Sequence, residues 1–211
     1  MLSWPVYLKI FTALLAIVDP IGSVPVFISL TANQQKAERY RTASIAAITM
    51  AAVLIGACLL GNSALRLFGV SLSSFRVGGG ILLLLVAVAM FHAERSRQTP
   101  EEAIEAGERG GLAVVPLAIP LLSGPGAIST MIIYSAQGQG PAHTAILIAG
   151  SLLLGLIVWV SLLLAVPIGS KLGRTGINIV TRLMSLLLAA IAVEFIVGGL
   201  GELLPGLISP S

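Results

Sequence analysis

Asp19-Pro20-Ile21-Gly22-Ser23-Val24-Pro25 and Ser123-Gly124-Pro125-Gly126-Ala127-Ile128-Ser129 interrupt two otherwise apolar segments, and Pro20 and Pro125 stand 105 residues apart. Proline removes a backbone donor and disfavours helical geometry in the residue before it, so each cluster is expected to break a helix. In a bilayer the freed backbone groups cannot stay unpaired, so both segments must face protein or a polar cavity. Broken membrane helices that recur in two halves of a chain are the pattern of secondary transporters.

The surrounding sequence supports a bilayer setting. Mean hydropathy is +1.01, and of 211 residues 56% are hydrophobic and 10% charged. A soluble domain of this size would expose large apolar surfaces with such a composition. Six stretches reach the about 20 apolar residues that a crossing needs: Trp4–Leu30, Ala43–Leu60, Leu72–Phe91, Leu112–Ala136, Ala145–Ile168 and Ile177–Leu200. The first lacks a basic leader, carries Lys9 mid-segment and continues past Asp19, which argues against a cleaved signal peptide. Cys58, the single cysteine, reads as a small buried hydrophobe. His92 and His143 fall outside the apolar centres without companions at metal-ligand spacing, so neither a metal nor a cofactor is expected. A pI near 9.4 reflects basic loops between spans rather than a nucleic-acid surface.

Those loops orient the chain. With six crossings, Lys36, Arg39, Arg41, Arg95, Arg97, Arg109, Lys171 and Arg174 share one side, which is expected to be cytoplasmic, with both termini periplasmic. The charged segment 92–111 then divides an N-terminal three-helix repeat, 1–91, from a C-terminal one, 112–211. Three crossings per half invert the second copy relative to the first. Arg76 and Arg182, at the starts of the third and sixth spans, repeat the register with a spacing of 106. The fold expected is therefore all-α and polytopic, six transmembrane helices in two inverted repeats, with the first and fourth spans broken or re-entrant. In the linker, Thr99-Pro100-Glu101-Glu102 has the form of a helix start. It serves as a solvated tether or as a regulatory or docking element.

The 27 residues of Trp4–Leu30 would make a helix of about 40 Å, roughly 10 Å longer than the hydrocarbon. A break at Pro20, loosened by Gly22 and repeated at Pro25, resolves the excess. Each break starts a new half-helix whose unpaired N–H groups and partial positive charge suit an anionic group. Ser23, Ser123 and Ser129 add hydroxyls, and Gly22, Gly124 and Gly126 allow close approach to the backbone. Asp19 is the only aspartate in the chain. Such a charge deep in a span costs about 2.5–3.5 kcal/mol on insertion scales, so a function or an ion pair is expected. It either caps the second half-helix, or binds a substrate ammonium, or couples to a proton; these roles are compatible. Glu194 is the second deep acid, a proton relay or a structural hydrogen-bonding group. Arg76 and Arg182 pair with Asp19 or Glu194, gate opposite mouths, or snorkel to the interface. Lys9 and Trp4 read as interfacial anchors, and Gly78-Gly79-Gly80, Gly150, Gly155 and Gly198-Gly199 as helix contacts.

The segment from Asp19 to Thr31, together with Pro116-Leu117-Ala118-Ile119-Pro120-Leu121-Leu122-Ser123-Gly124-Pro125-Gly126-Ala127-Ile128-Ser129-Thr130, resembles the MarC family of bacterial inner-membrane proteins, also called the NAAT family. The resemblance covers the whole chain in length, number of spans, central charged loop and both motifs. Many members read Asn-Pro-Ile-Gly where this chain has Asp19-Pro20-Ile21-Gly22, so the acid here bears on ion coupling or charge preference. The resemblance implies movement of small neutral amino acids such as alanine or glycine across the cytoplasmic membrane, with export as one direction. A half-helix N-terminus would hold the carboxylate, and Asp19 or backbone carbonyls the ammonium, with a proton or sodium ion as coupling partner. Oligomers are compatible with this.

Two other classes compete. An intramembrane hydrolase could use Ser123, but both histidines read as loop residues, so no buried base is evident and no enzyme is expected. A channel, or a non-transporting scaffold, would share the hydropathy; saturable counterflow separates a carrier from either.

Overall fold

The computed structural model describes residues 2–92, 122–138 and 140–205. Seven helices occur among the described residues: α1 Trp4–Val18, α2 Val24–Leu30, α3 Lys36–Leu67, α4 Leu72–His92, α5 Pro125–Gln137, α6 Pro141–Leu163 and α7 Ala165–Leu203. Among the described residues, four segments are long and apolar enough to cross a membrane, namely α3, α4, α6 and Thr175–Leu203 of α7. Leu8, Ile48, Leu60, Leu85, Leu156 and Val197 point outward. An apolar surface of that extent suits lipid rather than water.

The first expected span is two helices, α1 and α2, separated by residues 19–23. Pro25 does not break the chain a second time. It lies in the first turn of α2, where a missing N–H costs no intrahelical bond. The second span is longer than its apolar run. A capping box at Gln35, whose N–H donates to Glu38 Oε2 at 3.0 Å, starts α3 seven residues before Ala43. The 32 residues of α3 therefore span about 48 Å and carry a polar turn beyond the hydrocarbon. Near its start α7 bends at Gly173, whose φ of +59° only glycine adopts readily. The linker 93–111, the Thr99 helix start and the approach to the second cluster through Pro116 and Pro120 lie outside the described residues.

Packing is antiparallel along the two main helix pairs. Between α4 and α7, Ser73 meets Gly199, Gly80 meets Ala192 and Ile196, and Phe91 lies under Arg182. The Arg76 guanidinium touches Gly198 at one end of this pair and Arg182 faces Phe91 at the other. Between α3 and α6, Ala47 and Ala51 face Gly155, and Trp159 Nε1–H donates to Ser44 Oγ at 3.0 Å. α5 is wedged against both pairs, with Ile132 on Gly61 of α3 and Ser129 on Gly79 of α4. Small residues let the helices approach closely, the usual route to membrane helix contact. Cys58 is buried in this interior, as a small hydrophobe would be.

Candidate functional site

The first break is built by Asp19. Helix α1 ends when Asp19 takes a left-handed conformation, φ +41°, with its N–H donating to the Leu15 carbonyl at 3.0 Å. Aspartate tolerates this geometry because its short side chain bonds locally. Here Oδ1 accepts the Gly22 N–H at 3.0 Å, and the carboxylate also accepts the Thr181 hydroxyl of α7. Gly22 lies so close to this carboxylate and to Thr181 Oγ1 that any Cβ would collide with both. The Ser23 hydroxyl donates to the Pro20 carbonyl at 2.8 Å, and the Ser23 N–H to the Asp19 carbonyl at 3.1 Å. The Asp19 carboxylate thus closes the turn between α1 and α2 through the Gly22 N–H, which precedes α2, while the first N–H of α2, that of Val24, donates to the Ile21 carbonyl at 3.1 Å. Asp19 ends α1 rather than capping the first turn of α2, and its carboxylate binds α7 to the break.

The second cluster, of which the described part is the start of α5, differs. Gly124 is the N-cap of α5, with no side-chain cap, and its carbonyl accepts the N–H groups of Ala127 and Ile128 at 3.0 and 3.2 Å. Gly126 packs on Leu83 and on Ile17, the latter two residues before Asp19. The first break and the start of α5 are therefore neighbours, and Asp19, Ser23, Ser123 and Ser129 are all less than a tenth exposed. Ser129 sits one turn into α5, donates to the Gly126 carbonyl at 3.1 Å and contacts Gly79 of α4. Next to it, Thr130 is fully buried and its Oγ1 has no hydrogen-bond partner among the described residues. An unsatisfied buried hydroxyl costs about 1–3 kcal/mol.

Two of the candidate coupling residues, Arg76 and Glu194, pair elsewhere. Arg76 pairs with Glu202 at 2.5 Å, not with Asp19 or Glu194. Glu194 pairs with Lys9, so that lysine is a partner of α7 rather than a free interfacial anchor. Arg182 lies with its guanidinium carbon 5.8 Å from the centroid of the Phe91 ring. Trp4 is exposed at the end of α1, as an interfacial anchor would be. Lys9 to Asp19 is ten residues of α1, about 15 Å along the helix, so the Glu194 pair lies well away from the breaks. Both side chains of that pair are about half exposed, 51% and 53%, on an apolar outer surface. Lys9→Met or Glu194→Gln should each cost roughly 1 kcal/mol by leaving one charge unpartnered, while the double variant recovers most of the loss. Thermal midpoints in detergent of the two single variants and the double variant check this; additive losses would show that the charges do not interact.

His143 also departs from its loop reading. It is 1% exposed in the first turn of α6, where Nε2–H donates to the Tyr134 carbonyl at 3.1 Å and the Tyr7 hydroxyl donates to Nδ1 at 2.9 Å. A carbonyl can only accept, which sets this tautomer. The imidazole clasps α1, α5 and α6. His143, Thr181 and Thr130 escaped sequence reasoning. Only Thr130 carried a signal, since it stands four residues after Gly126 and so on the same helix face.

Residues 4–204 match the family profile described as "MarC family integral membrane protein". The chain belongs to the MarC family. This MarC protein is 39% identical over 209 residues to the UPF0056 membrane protein YhcE of Escherichia coli (strain K12), covering 98% of this chain and 97% of that one. It is 35% identical over 203 residues to the UPF0056 membrane protein YvbG of Bacillus subtilis (strain 168), covering 95% and 96% respectively. An archaeal relative, the UPF0056 membrane protein MJ1677 of Methanocaldococcus jannaschii, is 38% identical over 195 residues, covering 92% and 95%. No solved structure matches this MarC protein.

Proposed function

We propose that this multi-pass membrane protein is a secondary transporter that moves small neutral amino acids, alanine or glycine in kind, across the bacterial cytoplasmic membrane by alternating access. The observation that carries the reading is the meeting of the buried helix break Asp19–Ser23 with the buried start of α5 at Ser123–Gly126, at the contact of Ile17 with Gly126. Discontinuous helices that meet inside a bundle are the substrate sites of transporters built from inverted repeats. One pair of α4–α7 contacts fits a repeat to within one residue: Arg76 lies at Gly198 and Arg182 at Phe91, and the spacing of 106 that relates the two arginines carries Phe91 to position 197.

In this reading the site is closed. The Asp19 carboxylate is held by Gly22 and Thr181, and a substrate ammonium would compete with these donors for it. The substrate carboxylate would take the α5 end, where the helix start offers the Gly126 N–H and partial positive charge. Rocking of one repeat against the other would open the site to alternate faces, with a proton or sodium ion as the coupling partner and export as one direction.

The test is counterflow of labelled alanine and glycine into proteoliposomes, with unlabelled amino acid preloaded and with a proton or sodium gradient. Saturable, trans-stimulated flux is expected, and the gradient that drives it names the coupling ion. Flux without saturation would point to a channel. Folded protein that moves neither amino acid would remove the transport reading and favour a scaffold.

A further inference from the structure

We infer that Thr130 and the start of α5 form the subsite for the substrate carboxylate, an inference that rests on the amino-acid transport reading above. Five buried hydroxyls among the described residues are spent on carbonyls one turn back: Ser23 on Pro20, Thr31 on Phe27, Ser129 on Gly126, Ser151 on Leu147 and Ser185 on Arg182. That is the usual fate of serine and threonine within helices. Thr130 departs from it: its Oγ1 is buried with no partner among the described residues. The carbonyl it would normally engage belongs to Gly126, and that oxygen accepts the Ser129 hydroxyl instead.

Position makes the exception informative. Thr130 stands four residues after Gly126, and helical side chains lean toward the N-terminus, so its hydroxyl lies over the first turn of α5. That turn begins at Gly124 without a side-chain cap; Pro125 has no N–H, the Ala127 and Ile128 N–H groups are taken by the Gly124 carbonyl, and the Gly126 N–H is left without an acceptor among the described residues. The Thr130 hydroxyl and the Gly126 N–H at the positive end of a helix are two donors for one spot, the chemistry that holds an anionic oxygen. Gly126 packs there on the aliphatic side chains of Ile17 and Leu83, which keep water out and strengthen any charge-assisted hydrogen bond formed. Ile17 also ties this spot to Asp19, two residues on, so that one ligand could offer its carboxylate to α5 and its ammonium to Asp19.

The experiment compares the full-length wild type with Thr130→Val, an isosteric change that deletes the hydroxyl, and with Thr130→Ser, which keeps it. In alanine counterflow Thr130→Val should raise KM about tenfold with Vmax altered less than about twofold, the loss of one hydrogen bond to a charged group. Thr130→Ser should return KM to within about threefold of wild type. Alaninamide, which lacks the carboxylate, should compete as weakly against Thr130→Val as against wild type. The thermal midpoint of unliganded Thr130→Val should equal or exceed that of wild type, because a buried hydroxyl without a partner is replaced by a methyl group. A wild-type KM in Thr130→Val overturns the inference and leaves the transport reading standing. So does an unliganded midpoint that falls as far as in Thr130→Ala, since the hydroxyl would then be structural. Absence of saturable alanine flux in the wild type is read before any variant, and it overturns both.

Discussion

Alanine at Gly80 is expected to cost the protein its folded yield, while alanine two positions earlier, at Gly78, leaves it unchanged. A Cβ at Gly80 would lie 2.8 Å from the Ala192 carbonyl oxygen and 3.1 Å from the Ile196 nitrogen. Those are backbone atoms of α7 and cannot rotate away, so α4 and α7, the most extensively packed helix pair, would have to separate. Overpacking of this kind costs about 1–3 kcal/mol where the obstacle is a side chain, and a backbone obstacle places Gly80→Ala at the upper end. Gly199→Ala should behave likewise, since its Cβ would meet the Ser73 carbonyl oxygen at 2.7 Å. Gly78 has nothing within 4 Å, and alanine there gains up to about 1 kcal/mol of helix propensity. Size-exclusion profiles and thermal midpoints of the three variants in one detergent check this. Equal behaviour of Gly78→Ala and Gly80→Ala would mean that α4 and α7 do not meet at Gly80.

At Asp19 the two informative substitutions should part company. Asp19→Ala removes the acceptor for the Gly22 N–H and the Thr181 hydroxyl, and it forces alanine into φ +41°. Together these cost about 2–4 kcal/mol, from one left-handed residue and the buried donors left without a partner. Asp19→Asn keeps an oxygen for the Gly22 N–H and a side chain that tolerates the left-handed region, so it should fold with little loss. What asparagine removes is the charge. If Asp19 carries the coupling charge or faces the substrate ammonium, Asp19→Asn changes the pH or ion dependence of alanine counterflow by more than its effect on stability. A stable Asp19→Asn protein with wild-type pH and ion dependence would confine Asp19 to capping the break.

Membership in a bilayer, the ends of α4 and the place of the first break were legible in the sequence, because each depends on local chemistry. A run of apolar residues must leave water wherever it folds, and Pro20 lacks its N–H in any conformation. The extension of α3 to Lys36 went unread, because the apolar run alone starts the span at Ala43, although Gln35 and Glu38 form a capping box there. Pro25 was misleading for a reason equally local: the same residue breaks a helix in mid-course and starts one in its first turn.

Partners were decided by the tertiary structure alone. Lys9 finds Glu194 across 185 residues, Arg76 finds Glu202 across 126, and Tyr7 finds His143 across 136. No spacing rule reaches so far, since which face of α7 meets α1 and which meets α4 follows from how small residues let the helices approach. The same packing sets Thr181 against Asp19, turning a lone acid into a hydrogen-bonded one, and leaves Thr130 a buried hydroxyl with no partner among the described residues. By itself the sequence determined where the chain breaks and what lies in lipid, because hydration and proline geometry act residue by residue. Which polar groups are satisfied was decided only when helices distant in sequence came within about 3 Å of one another, the range over which hydrogen bonds form.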